Sequence, residues 1–292
     1  MKIRIWGCRG SIPTPGPATL RYGGNTTCVE IRTSRGQLII IDAGSGVRNL
    51  GWALSQKKEA PQIRFFFTHS HWDHLLGFPF FQPAYSENSH ITFCSGSHAQ
   101  DSIRTYLAHQ MQAPYFPVDF NLLRAKFDFR CERPNMEPGP CRLDGLEVLP
   151  VSLSHPNGGY GYKFIEQGKT FVFLTDNELG FEHEGGLSRE EYVDFCRGVD
   201  LLFHDAQYTD EEYKFTHNWG HSTFADATDL AIEAGVKRLG LIHHDPNRTD
   251  DDLDRQTAFC KERIRLAGSE VECLAVAEGM VIELSREYKS FD

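Results

Sequence analysis

The residues Thr68-His69-Ser70-His71-Trp72-Asp73-His74 follow directly on the apolar run Ile63-Arg64-Phe65-Phe66-Phe67, and no other feature constrains this chain as tightly. A run of that composition reads as a buried strand. Three imidazoles and a carboxylate crowded at its end are costly to bury unless something compensates them. Metal ions do so. A strand opening into a loop aims alternate residues to one side, so His69 and His71 can share one ion while Asp73 and His74 turn toward a second. Imidazole nitrogen with carboxylate oxygen suits zinc, and manganese or iron as well. A polar loop whose histidines merely hydrogen-bond is the competing reading, and it does not account for so many titratable groups in one place.

The chain has 292 residues and no segment that forces a split, so one domain over residues 1–292 is expected. The Gly/Pro-rich stretches 11–24 and 135–140 are short enough to be loops. A net charge of −10 argues against a protein that grips long nucleic acid by general electrostatics, but it is compatible with a small anion held by metals. The opening Met1-Lys2-Ile3-Arg4-Ile5-Trp6 alternates like a strand and lacks the apolar core of a signal peptide. No later run is long enough to span a bilayer, so a cytoplasmic protein with no membrane partner is expected. Eight cysteines are scattered without a CxxC pair and read as reduced thiols.

Strand patterns recur at 2–6, 28–32, 37–41, 63–67, 90–94, 146–149, 161–165, 171–174, 201–203, 238–242, 272–276 and 280–284. Helical patterns cover 99–112, 188–197, 223–234 and 250–267, with start signals at Ser222 for the third and Thr249 for the last. Strand groups separated by helices predict an α/β layered fold. Asp42, His69, His155, Asp176, Asp205 and His243 all fall at or just past strand ends, which places a site at one sheet edge.

The remaining histidine and carboxylate elements are Ser154-His155-Pro156, Leu174-Thr175-Asp176, His204-Asp205-Ala206, Gly220-His221-Ser222-Thr223 and Ile242-His243-His244-Asp245. Taken in order with HxHxDH, over nearly the whole chain, they resemble the metallo-β-lactamase superfamily and, within it, the RNase Z-like phosphodiesterase branch. The resemblance implies a four-layer αβ/βα sandwich with two divalent ions, zinc foremost, at one edge. Carried over position by position, His69, His71 and His155 would hold one ion and Asp73, His74 and His243 the other, with Asp176 bridging. Asp42 matches an early aspartate of the superfamily and is expected to orient the ligand loop by hydrogen bonds. An ordinary Asp-Ala-Gly turn is the plainer alternative. His244 competes with His243, but in the family the histidine directly after the strand coordinates. Lactam-cleaving members usually offer a cysteine where this chain has Asp176, which argues against antibiotic hydrolysis.

His204-Asp205-Ala206-Gln207 resembles the His-Glu-Ala-Thr element of RNase Z, and the segment around His221 resembles its partner. The resemblance makes Asp205 the group that orients His221, and His221 the general acid at the leaving oxygen. Asp73, Asp205 and His221 are thus the expected catalytic residues, although His221 could instead cap the helix beginning near Ser222. The expected chemistry is attack on phosphorus by a metal-bridging hydroxide. The tRNA-processing members carry a long arm between the counterparts of His155 and Asp176, where this chain has room for a hairpin. Armless branches hydrolyse small phosphodiesters, and a 3′,5′-cyclic nucleotide is the favoured substrate. The alternatives are an RNase Z-like ribonuclease, a thioester or lactone hydrolase on the same metals, and a non-catalytic metal-bound sensor. A homodimer is implied by the resemblance alone.

Aromatics and prolines at 77–85 and 114–117 form either a wall for a nucleobase or core. Tyr208, His217 and Trp219 are weaker candidates for substrate contact, and His90, His98, His109 and His183 read as surface or packing residues. The glycine-bearing segments 7–11 and 23–26 could turn backbone N–H groups toward a phosphate.

Overall fold

Strand β1 (Lys2–Gly7) shows how the layers arise, since Ile3 and Ile5 are buried while Lys2 and Arg4, alternating with them, face solvent. β2 (Cys28–Arg32) and β3 (Leu38–Ile41) are covered on both faces and buried almost throughout; β2 pairs antiparallel with β1, and β3 with β2. Three strands then add in parallel beyond β3: β4 (Gln62–Phe66), β5 (His90–Phe93) and β6 (Lys126–Asp128). The later part of the chain reuses this scheme. β7 (Cys141–Leu143), β8 (Leu146–Ser152), β9 (Tyr160–Glu166) and β10 (Lys169–Leu174) form an antiparallel meander. β11 (Leu201–Asp205), β12 (Arg238–Ile242) and β13 (Glu272–Ala275) extend it in parallel. β14 (Val281–Glu283) returns to the first sheet and pairs antiparallel with β1. The computed structural model describes residues 1–57, 61–94, 103–129 and 140–285.

The two seven-stranded sheets face each other. Ile5, Ile31, Ile41 and Phe66 of the first meet Phe164, Phe173, Phe203 and Ile242 of the second in one apolar layer. On the outer face of the first sheet, Ile40, Phe65 and Phe93 pack against α1 (Val47–Ser55) and α3 (Ile103–Gln110). On the outer face of the second, Val172, Leu202 and Leu241 pack against α4 (Arg189–Cys196), α6 (Phe224–Ala234) and α7 (Asp250–Leu266). The expected four-layer α/β sandwich is therefore what forms.

The helix expected over 99–112 is described from Ile103 to Gln110; residues 95–102, with His98, lie outside the described residues, as do most of the loop 135–140 and Cys131. The cap of α6 is Thr223 rather than Ser222. The Ser222 hydroxyl is spent elsewhere, donating to the Asn177 carbonyl at 2.5 Å and accepting from Leu179 N–H at 3.0 Å. His221 therefore does not cap this helix. Among the described residues, no helix is long and apolar enough to cross a membrane.

Candidate metal centre

The site is built where parallel strands end. Asp42 follows β3, Asp176 lies two residues past the end of β10 and His243 follows β12, with backbone φ of 59°, 53° and 63° respectively. Such left-handed angles are strained for residues other than glycine and concentrate at functional sites. The loop after β4 carries His69 and His71 and leads into the single turn α2 (Trp72–Leu75), which holds Asp73 and His74. His155 comes from the β8–β9 connection, Asp205 ends β11, and His221 lies just before α6.

Seven of these residues converge as two donor groups, and Asp205, His221 and His243 form a third. His69, His71, His155 and Asp176 form one, with their ligand atoms within 4.8 Å of one another. Asp73, His74, Asp176 and His243 form the second at the same spacing. Asp176 belongs to both. Its Oδ2 stands 3.6 Å from His69 Nε2 and 3.9 Å from His155 Nε2. Its Oδ1 stands 3.2 Å from His74 Nε2 and 3.3 Å from His243 Nε2. Asp73 Oδ2 closes the second group, 3.2 Å from His74 Nε2 and 3.1 Å from His243 Nε2. His69 Nε2 and His74 Nε2 are buried and lack a well-formed hydrogen bond, although carboxylate oxygens lie close. Buried nitrogens are rarely left so, and a mixed imidazole and carboxylate set at this spacing fits divalent cations.

The electrostatics differ between the groups. Burial works against a charge on His74, but Asp73, Asp176 and Asp42 outweigh it and hold its pKa well above the ordinary value. Burial likewise opposes a charge on His243, and Asp176 with Asp73 and Asp205 raises it to about 9. In the first group burial wins, pushing His69 well down and His155 to about 3. The second group is thus the more electronegative, and the field that would retain a proton there also suits a cation.

Three of the converging imidazoles, those of His74, His155 and His243, are steered from behind. Asp42 Oδ2 accepts from His74 Nδ1 at 2.8 Å, and its two oxygens take the Thr68 N–H and hydroxyl, each at 2.8 Å. Gly220 O lies 2.9 Å from His155 Nδ1, and Gln207 Oε1 lies 2.8 Å from His243 Nδ1. With Nε2 turned to the centre, each Nδ1 carries the proton and donates it. Asp73 is held by the Ser11 N–H at 2.8 Å. Sequence reasoning missed the roles of Gln207, Gly220 and Ser11. Two of these act through backbone atoms, which leave no signature in side-chain identity, and Gln207 stands where the resemblance has Thr. Gly220, at φ 90°, also leaves no room for a side chain, because a Cβ there would run into the His155 ring.

Asp205 Oδ2 lies 2.7 Å from His221 Nδ1, and the His221 ring stacks on that of His243 with centroids 4.8 Å apart. His244 is buried but turns its Nε2 to the Val276 carbonyl at 2.8 Å, away from both donor groups. The N–H groups of the two glycine-bearing segments are largely taken by protein acceptors. Cys8 and Arg9 donate to the Asn25 carbonyl, Gly10 to that of His244, and Thr26 to the Ser45 hydroxyl.

The aromatic wall divides in two. Phe78 and Phe81 are core. Phe80, at 56% exposed, meets Phe116 edge-on at 5.5 Å. The segment 114–129 packs back on this region through Phe120, whose ring is 6.2 Å from Phe78. Tyr208 is buried with its ring 5.9 Å from that of His221 and accepts a hydrogen bond from Gln207. Trp219 is exposed one residue from Gly220, and His217 packs against Phe181 and Tyr213.

The family described as the beta-lactamase superfamily domain matches residues 37–244, which spans the donor residues from Asp42 to His243. The chain belongs to the beta-lactamase superfamily. Its relatives within that superfamily include ribonucleases Z, and it is a metal-dependent hydrolase. The ribonuclease Z of Halalkalibacterium halodurans is 26% identical over 308 aligned residues, covering 89% of this chain and 94% of that protein. The metallo-beta-lactamase fold protein YhfI of Bacillus subtilis superposes with a TM-score of 0.67 at 16% identity, covering 96% of this chain and 98% of its own. A diphosphatase of the PhnP family gives 0.65 at 18% identity, covering 97% and 98% respectively. At those identities the structural likenesses establish the fold of this beta-lactamase superfamily member and leave its substrate to its own site.

Proposed function

We propose that this chain is a phosphodiesterase holding two divalent ions, zinc foremost, and that it hydrolyses a small phosphodiester, a 3′,5′-cyclic nucleotide above others. His69, His71, His155 and Asp176 would hold one ion, and Asp73, His74, His243 and Asp176 the other. When bound, such ions supply Lewis acidity and an acidified water for attack on phosphorus. The observation that carries the reading is the Asp205–His221 pair, 2.7 Å apart, stacked against the ligand-group member His243. A carboxylate that accepts a hydrogen bond from Nδ1–H leaves the opposite nitrogen of His221 to deliver a proton to a departing alkoxide, and it steadies the imidazolium beforehand. Poor leaving groups such as a ribose oxygen need that proton.

The preference for a small substrate rests on the hairpin between His155 and Asp176. β9 and β10 pair as far as Glu166 opposite Lys169, so only Gln167 and Gly168 form the turn and no arm extends from it. The net charge of −10 points the same way. A ribonuclease Z-like activity is the second reading, favoured by the sequence likeness to the Halalkalibacterium halodurans enzyme. The diphosphatase likeness adds a diphosphate bond to the substrates worth testing. One catalytic domain over residues 1–292, a homodimer and a cytoplasmic location belong to the same proposal.

The test is hydrolysis of cyclic mononucleotides, cyclic dinucleotides, a dinucleoside diphosphate, a tRNA precursor, a lactone and S-lactoylglutathione by metal-loaded protein, with Asp73→Ala as control. Cleavage of a cyclic mononucleotide that the control abolishes is the expected result. Cleavage of the tRNA precursor alone moves the assignment to ribonuclease. Turnover only of the thioester or lactone removes the phosphodiesterase reading, and no turnover by fully metallated protein leaves the sensor.

A further inference from the structure

Glu178 lies two residues past Asp176 and is buried. A buried carboxylate is costly unless its oxygens are satisfied. Here both are. Oε1 accepts from the Tyr213 hydroxyl at 2.6 Å and the Asn218 N–H at 2.7 Å. Oε2 accepts from the Gly220 N–H at 2.6 Å and faces His183 Nε2 at 2.8 Å. His183, expected as a surface or packing residue, is thus a buried partner of this carboxylate.

Two of those donors are backbone groups of one short segment, in which Asn218 and Gly220 hold φ of 68° and 90°. Left-handed backbone of this kind persists only where its surroundings over-determine it. The segment has two outputs. The Gly220 carbonyl fixes His155 Nδ1 at 2.9 Å, and the next residue is His221, bonded to Asp205 at 2.7 Å. Glu178 is also tied to the other side of His155, since its own N–H donates to the Ser154 carbonyl at 2.8 Å. His183 N–H adds a bond to the Ser154 hydroxyl at 2.9 Å.

We infer that Glu178 is a positioning residue that sets the ligand-group imidazole of His155 and the His221 imidazole together, through the segment 218–221. The part concerning His221 rests on the phosphodiesterase reading; the part concerning His155 does not. Glu178→Gln keeps the size but replaces one acceptor oxygen by an NH2 group, which would face an N–H or O–H donor and break the four-bond set.

Two measurements test it. Cobalt(II) titration of the apoprotein, followed by visible absorption, should show binding weakened ~10–100-fold in Glu178→Gln, the usual cost of losing a group that orients a ligand. With aryl phosphodiesters of graded leaving groups, kcat should fall most for the poorest leaving groups while KM changes little. Tyr213→Phe removes one bond from Oε1 and leaves the backbone bonds, so it should move both readouts in the same direction by less. A folded Glu178→Gln protein with unchanged cobalt affinity and an unchanged leaving-group dependence overturns the inference. A lowered melting temperature as the sole change also overturns it, because that is what a purely structural residue gives. If Glu178→Gln does not fold, Tyr213→Phe with wild-type values in both measurements overturns it. If the wild-type protein cleaves no phosphodiester, the proposed activity fails while the cobalt titration still decides the role of Glu178 toward His155.

Discussion

His243 concentrates the demands made on single residues here. It carries a left-handed backbone, a ring stacked on His221, one nitrogen toward Asp73 and Asp176, and the other on Gln207. Gln207→Leu strips the acceptor from Nδ1, so affinity for a divalent ion should fall ~10–100-fold, measured by competition with a chromogenic chelator. His221→Ala should keep its metal content by elemental analysis. Its kcat should drop ~10²–10⁴-fold on an alkyl phosphodiester and far less on an activated aryl one. Equal losses on the two substrates would remove the general-acid role. The converging donors were legible in the sequence because ligation demands particular side chains, and burying HxHxDH behind an apolar run is hard to compensate without metal. Gln207, Gly220 and Ser11 were not, because an amide oxygen, a carbonyl and an N–H become meaningful only once the fold brings them to an imidazole or a carboxylate.

Among the elements, those with strong periodicity were readable and those defined by partners were not. β6 and β7 have three residues each and exist by pairing with β5 and β8. α1 has no side-chain cap and carries Gly51 within it, so nothing marks its start. α5 (Asp210–Thr216) is different: Thr209 and Glu212 form a capping box, a start signal present in the sequence that the helical pattern alone does not bring out. Just before β11, Asp200 gathers the starts of three strands at the end of the sheet away from the metal centre. It accepts from Lys169 at 3.2 Å, Lys237 at 2.8 Å and the Thr170 N–H at 2.9 Å. Burial resists its charge, but Lys237, Thr170 and Lys169 outweigh burial and hold its pKa below the ordinary 3.8. A depressed carboxylate adds stability above its unfolded pKa and loses it as pH falls through the folded one. Asp200→Asn should therefore cost ~1–3 kcal/mol near neutral pH with metal content unchanged. The gap in melting temperature should close below pH 3.8.

For the molecule as a whole, the donors are divided between the two sheets: His69, His71, Asp73 and His74 follow a strand of the first, while His155, Asp176 and His243 come from the second. Bound ions would tie the layers together. Chelation should lower the melting temperature and added metal should restore it, the bound ion contributing ~2.7 kcal/mol of stability at a free concentration of about a hundred times Kd. An unchanged melting temperature on chelation would mean that the sheets do not depend on the site for their pairing. The division also sets a timetable. One donor group is complete once Asp176 has been made, whereas the other waits for His243, and β1 lacks its outer neighbour until residues 281–283 arrive. A chain still attached to the ribosome therefore carries all four donors for one ion well before those for the second, and its opening strand must be kept from straying until synthesis is nearly done.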